Sequence, residues 1–174
     1  VLVTHNETST GVTNDIASIS KVVKGEFDKL LLVDAISSIG SLPCSVDAWD
    51  LDVVTSGSQK GWMAPPGLAF VSMSKRAWQA QAQSKMPRFY FDLAAATRYL
   101  ERGQTPWTPA VSVLFSLDAS LELLANEGLE NVFHRHAQVA HPIGQQHQPL
   151  RFRARHLADR LLPPPEQAVL RNHD

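Results

Sequence analysis

The run Leu30–Leu31–Leu32–Val33 constrains the fold more than any other segment of the chain. Four consecutive apolar residues lack the alternation of a half-solvated strand. They suit a strand buried on both faces, as in a parallel sheet covered by helices. Asp34 follows at once, at a point where an unpaired carboxylate would be costly to bury. Val1–Thr4 reads as a short strand closed by the polar stretch His5–Thr10 and Gly11. Val53–Val54 reads as another, and Gly67–Ser72 as a third after the turn signal Pro65–Pro66–Gly67. Helical segments alternate with them. Asn14 is placed to cap a helix through Lys24, with Ile16, Ile19, Val22 and Val23 on one face and Gly25 just beyond. Ser74–Gln83 is a second helix. Thr108–Pro109 opens another, with Leu114, Leu117, Leu121 and Leu124 at helical spacing and Gly128 as its terminator. The alternation predicts an α/β fold with a mainly parallel sheet and flanking helices.

Composition narrows the function classes. With 16 basic and 17 acidic residues among 174, the chain is neither a polybasic nucleic-acid binder nor an acidic tail. A single cysteine, Cys44, excludes an internal disulfide framework. No apolar run approaches the ~18 residues that span a bilayer. The near-zero net charge is an average over two unlike pieces. Residues 1–130 carry 10 basic and 14 acidic side chains, whereas residues 131–174 carry 6 and 3. The second piece also holds six of the seven histidines and five of the eleven prolines. Pro142, Pro149 and Pro163–Pro164–Pro165 are expected to interrupt any long helix there. The expected organisation is therefore the C-terminal portion of a large domain over 1–130. Residues 131–174 are then the start of a small domain or an aberrant, frameshifted tail. The strand-like start at Val1, with no Met, suggests a chain that begins inside a fold.

Ligands of open α/β sheets bind outside the carboxyl ends of the strands. Three polar clusters fall at such ends: His5–Thr10, Asp34 and Ser56–Lys60. Asp34 is either a ligand-directed carboxylate or a loop aspartate that caps a turn or faces water. Lys60 follows Thr55–Ser56–Gly57–Ser58–Gln59, small residues that allow close approach of backbone to a ligand. Its bland alternative is a solvated surface lysine. Spacing alone leaves both pairs of alternatives open.

The clusters taken together narrow the choice. His5–Asn6–Glu7–Thr8–Ser9–Thr10–Gly11–Val12, Leu31–Leu32–Val33–Asp34–Ala35, Ser56–Gly57–Ser58–Gln59–Lys60–Gly61 and Ala64–Pro65–Pro66–Gly67 occur in that order. The set resembles class V aminotransferases, the fold-type I pyridoxal-phosphate enzymes, and among them the alanine/serine–glyoxylate branch. The resemblance covers about residues 1–133. It implies part of the large cofactor domain of a dimeric enzyme that moves an amino group from alanine or serine to an oxo acid such as glyoxylate. In that setting Lys60 forms the Schiff base with pyridoxal 5'-phosphate and shuttles a proton. Asp34 pairs with the pyridinium nitrogen. Ser9, with Thr8 and Thr10, lies beside the ring, and Gln59 helps to hold the phosphate. Thr108 reaches the phosphate bound by the partner subunit, from the N-terminus of a helix. Thr105 stands where the family often has tyrosine.

The same resemblance sets limits. Cysteine desulfurases usually carry histidine before the lysine and a reactive cysteine well beyond it. Here Gln59 holds the first position and Cys44 lies upstream, so that reading is disfavoured and Cys44 is expected as a small buried hydrophobe. His134 and His136 lack further ligands for a metal site. Family members also carry a Gly-rich phosphate loop upstream and a carboxylate-binding arginine downstream. Arg151, Arg153 and Arg155 do not align with that arginine. The alternative expectation is a non-catalytic remnant. The cytoplasm is the expected compartment, with organellar delivery left open.

Overall fold

The computed structural model describes residues 1–146. Its main sheet has four strands: β1 (Leu2–Thr4), β4 (Leu32–Asp34), β5 (Val53–Gly57) and β6 (Ala69–Met73), paired in that order. The β1–β4 and β4–β5 pairs are parallel and the β5–β6 pair is antiparallel. A two-stranded hairpin, β2 (Asn6–Glu7) with β3 (Val12–Thr13), leads from β1 into α1 (Ile16–Gly25). The later helices are α2 (Lys75–Gln83), α3 (Leu93–Leu100), α4 (Val111–Glu127) and α5 (Leu129–Gln146). Among the described residues, no helix is long and apolar enough to cross a membrane.

One face of the sheet carries the core. Val33 and Val54 are buried there against Ile16 and Val23 of α1, with Leu31, Ala35 and Leu51 closing the cluster. Val3, Cys44 and Trp49 pack around it half-buried. The other face is open around β1, β4 and β5. Leu2 and Val71 are exposed, while Leu32, Val53 and Thr55 are half-buried beside a hollow of ≈ 330 Å³. The run Leu30–Val33 is thus buried on one face only. Leu31 and Val33 alternate inward and Leu32 turns to the open side, because strand side chains point to opposite faces in succession.

Several local expectations shift. Asp15, not Asn14, caps α1: its carboxylate accepts from the Ser18 N–H at 3.0 Å. The Asn14 amide instead donates to the Thr4 carbonyl at 2.8 Å, tying the hairpin to β1. Ser74 caps α2 by accepting from the Ala77 N–H at 3.1 Å. The helix expected from Thr108–Pro109 begins only at Val111. Pro109 closes a tight turn of its own, its carbonyl accepting from the Val111 N–H at 3.0 Å. Of the leucine stripe on α4, Leu124 is buried, while Leu114 and Leu121 stay exposed. Gly128 ends the helix at φ +81°, as expected. α5 then runs through Pro142 and across the compositional break near residue 136. The expected helix interruption at Pro142 does not occur. Pro149 and Pro163–Pro165 lie outside the described residues, as do Arg151, Arg153 and Arg155.

The amino end of β5 is fastened by a buried charge. The Asp52 side chain is fully buried and accepts from Lys24 Nζ at 2.8 Å, the Leu31 N–H at 2.9 Å and Ser74 Oγ at 2.8 Å. Burial works against its ionisation, but these three donors and the Lys24 charge outweigh it and hold the carboxyl below the ordinary range. α1, β4 and the start of α2 are joined at this one carboxylate.

Candidate active site

Parallel register aligns the carboxyl ends of three strands. Thr4 lies opposite Asp34, and Asp34 opposite Thr55. The ladder runs one residue further on each side: the His5 N–H donates to the Asp34 carbonyl at 2.8 Å, and the Ala35 N–H to the Thr55 carbonyl at 3.0 Å. The Asp34 backbone is therefore fixed from both neighbours, while its side chain is exposed at the sheet's end. One carboxylate oxygen accepts from the Ile36 N–H at 2.9 Å, which starts the turn that follows.

Asp34 and Lys60 line one cleft of ≈ 170 Å³, together with Thr4, Asn6, Glu7, Thr8, Ile36 and Ser37. Its walls are cross-braced. Ser37 Oγ donates to the Asn6 carbonyl at 2.6 Å and accepts from Asn6 Nδ2 at 3.1 Å. Thr13 Oγ1 donates to Asn6 Oδ1 at 2.8 Å, so the hairpin and the Asp34 turn hold each other. The Ser9 N–H and hydroxyl both donate to one Glu7 oxygen and hold that carboxyl below the ordinary range. Behind the cleft, His5 is buried edge-on to Trp49, and its Nδ1 has no partner. Burial pushes this imidazole below its usual pKa.

The residues anticipated from sequence divide into three groups. Asp34, Lys60 and Thr8 meet in the cleft. Ser9, Thr10 and Gln59 are exposed nearby without lining it. Ser9 is engaged by Glu7, and Thr10 Oγ1 accepts from the Val12 N–H at 3.4 Å across the hairpin turn. Thr108 lies in a separate, shallow hollow with Leu100, Thr105 and Trp107. Asn6, Ile36 and Ser37 were not singled out as site residues. Their signal was available in position: Ile36 and Ser37 directly follow Asp34, on the turn that leaves a buried strand at its ligand-binding end.

Lys60 rides on a loop closed by its own hydrogen bonds. Buried Ser58 donates through Oγ to the Pro65 carbonyl at 2.6 Å and accepts from the Leu68 N–H at 3.2 Å. The Ala64 N–H donates to the Ser58 carbonyl, and the Met63 N–H to that of Lys60, both at 3.0 Å. Trp62 Nε1 donates to Ser56 Oγ at 2.9 Å, so its indole packs beside the lysine loop with an edge-on contact to Phe70.

A carboxylate fixed by its backbone, a lysine on a braced loop and the hydroxyl residues Thr4, Thr8 and Ser37 lining the same cleft form a donor set that could hold a heteroaromatic aldehyde with a basic ring nitrogen. The family model for aminotransferase class-V matches residues 1–154, and the chain belongs to this family. It is 48% identical over 139 residues to a soluble hydrogenase small subunit from Synechococcus sp., covering 80% of this chain and 36% of that one. It is 46% identical over 142 residues to an L-aspartate–glyoxylate aminotransferase of Paracoccus denitrificans, again covering 80% of this chain and 36% of that one. The crystal structure of an alanine–glyoxylate aminotransferase from Nostoc sp. superposes with a TM-score of 0.77 at 30% identity, over 83% of this chain and 39% of that one. The chain thus spans about 36% of the length of the curated relatives it matches.

Proposed function

We propose that this chain carries part of the cofactor site of a pyridoxal-phosphate-dependent aminotransferase. The enzyme would transfer an amino group from a small amino acid such as alanine or serine to glyoxylate or a similar oxo acid. The observation that carries the reading is the single cleft shared by Asp34 and Lys60. Pyridoxal phosphate, when bound, supplies the electron sink that loss of an amino acid's α-proton requires. Lys60 provides the amine that would hold the cofactor's aldehyde carbon, and its Nζ would carry the proton taken from the substrate's Cα. Asp34 would provide a carboxylate acceptor that favours a proton on the cofactor's ring nitrogen. Thr8, which lines the same cleft, would offer a hydroxyl to the bound cofactor. Glyoxylate as acceptor is supported by the names of two of the relatives above.

Dimer formation belongs to the same reading. What supports it is the exposed apolar surface beside Thr108, where Phe89, Phe91 and Leu100 are 78%, 84% and 74% exposed. Sedimentation of the purified protein tests it. A monomer at all concentrations would remove Thr108 from the proposed site.

Borohydride reduction of the chain with pyridoxal phosphate, followed by peptide mapping, tests the cofactor reading. A reduced adduct confined to Lys60 and lost in Lys60→Ala is the expected result. A second reading is a non-catalytic remnant of such an enzyme, in which Lys60 is one exposed lysine among others. Labelling spread evenly over surface lysines would support that alternative.

A further inference from the structure

The turn after Asp34 and the loop carrying Lys60 meet at two glycines. An added Cβ on Gly61 would lie 2.6 Å from the Ile39 carbonyl oxygen, 2.7 Å from the Gly40 carbonyl carbon and 2.7 Å from Ser41 Oγ. A Cβ on Gly40 would lie 2.9 Å from the Gly61 carbonyl carbon and 3.1 Å from its oxygen. Both glycines are buried. Most of these neighbours are backbone atoms, so a side chain at either glycine can be admitted only if one loop moves from the other.

Neither loop is free to deform alone. From Asp34, the chain passes through Ala35, fully buried and bonded to Thr55, into a compact turn. There the Ile39 N–H donates to the Ala35 carbonyl at 3.0 Å and the Leu42 N–H to the Ser38 carbonyl at 2.7 Å. Ser38 is itself fully buried. On the other side, Lys60 sits in the Ser58-braced loop described above. Two stiff pieces, each holding one end of the proposed cofactor site, touch along one seam.

We infer that the Gly40–Gly61 seam sets the spacing between the Asp34 carboxylate and the Lys60 amine, which makes Gly61 a positioning residue of the cleft. The inference rests on the cofactor reading given above. Gly61 lies outside the left-handed region, so alanine there meets the steric overlap without backbone strain. Gly40, at φ +85°, would meet both. Ordinary contact begins near 3.4 Å, so Gly61→Ala must part the loops by most of an ångström. Misplacement on that scale can cost about 10²-fold where two groups must engage one molecule together.

The test uses the full chain as wild type, Gly61→Ala, Asp34→Asn and Lys60→Ala. Each is titrated with pyridoxal phosphate and with an analogue bearing carbon in place of the ring nitrogen. Borohydride trapping at Lys60 and thermal unfolding are read alongside. Wild type should prefer the nitrogen-bearing ring by about tenfold or more, as expected of a hydrogen bond to a charged group. Asp34→Asn should reduce that preference. Gly61→Ala should abolish it while the adduct still forms at Lys60, because only one group can then engage at a time. A general loss of structure would weaken both ligands alike, leaving their ratio unchanged. A folded Gly61→Ala variant with an undiminished ratio overturns the inference. Should Gly61→Ala unfold, Gly40→Asn presses the same seam with smaller overlap, since asparagine tolerates positive φ. Unfolding of both would also overturn it, because the seam would then carry the fold and not the spacing. If wild type forms no Lys60-specific adduct, the cofactor reading itself fails.

Discussion

Two aspartates sit at opposite ends of the same sheet and are treated in opposite ways. Asp52, just before β5, is buried and accepts from three donors on three elements. Asp34, the last residue of β4, is exposed and accepts one local bond from Ile36. The first carboxylate is consumed by the fold. The second is fixed by its backbone and left with acceptor capacity facing a cleft. The contrast shows how a residue type common at strand ends can be told apart by what its lone pairs already hold. A fully engaged carboxylate stabilises; a sparsely engaged one, rigidly placed, is available to a ligand.

The strongest way to break this comparison is to delete each carboxylate. Asp52→Ala leaves the Lys24 ammonium with only the exposed Asp50 carboxylate at 3.4 Å and removes the acceptor of the Leu31 N–H and the Ser74 hydroxyl, and should cost about 3 kcal/mol in denaturant unfolding. Asp34→Ala should cost within about 0.5 kcal/mol, as for an exposed group. Equal costs would erase the distinction. Ser74→Ala comes next, since it removes both an Asp52 partner and the α2 cap, and about 1–2 kcal/mol is expected.

Acid titration sharpens the contrast further. The folded Asp52 carboxyl lies below its unfolded value of about 3.9. Its stabilisation is therefore complete above that value and is lost as pH falls through the folded pKa. Asp52→Asn should flatten this acid limb. His5 acts at higher pH. Its folded pKa is lowered, so the unfolded chain takes up protons first and stability declines as pH drops below about 6.5. The decline ends below the folded pKa, and His5→Phe should remove it. A further effect separates two neighbours at the start of α1. Asp15→Ala should lose about 1 kcal/mol of capping, with no shift of the cap to Asn14, whose amide is bonded elsewhere.

Much of the sheet was legible from sequence because Leu30–Val33 and Val53–Val54 declare themselves by apolar content. The strand-end positions of Asp34 and Lys60 were legible from their polar and small-residue neighbours, whereas a ligand-directed role for either rested on the family resemblance and not on spacing. Less legible was anything decided by competition between neighbours. Asn14 and Asp15 are both good caps, and only the packing of the hairpin assigns one to Thr4 and the other to Ser18. α3 escaped notice because Leu93–Leu100 is short and its boundary rests on Asp92 capping the Ala94 N–H. α5 was discounted for its proline, yet a buried Val132 anchors its first turns. The Gly40–Gly61 seam has no signature in either segment alone, because it exists only once two loops meet.

The antiparallel β5–β6 pair, which encloses the Lys60 loop, also has a meaning in time. Gly57 and Ala69 pair across a short connection, whereas Leu2 must find Leu32 and Leu32 must find Val53 over longer stretches of chain. Local pairing closes before distant parallel pairing, since loop entropy is the first cost to be met. The lysine loop should therefore be native-like in the folding transition state, while β1 docks late. Φ-values near one at Val54 and Val71 and near zero at Val3 are the expected pattern, and the reverse order would refute it.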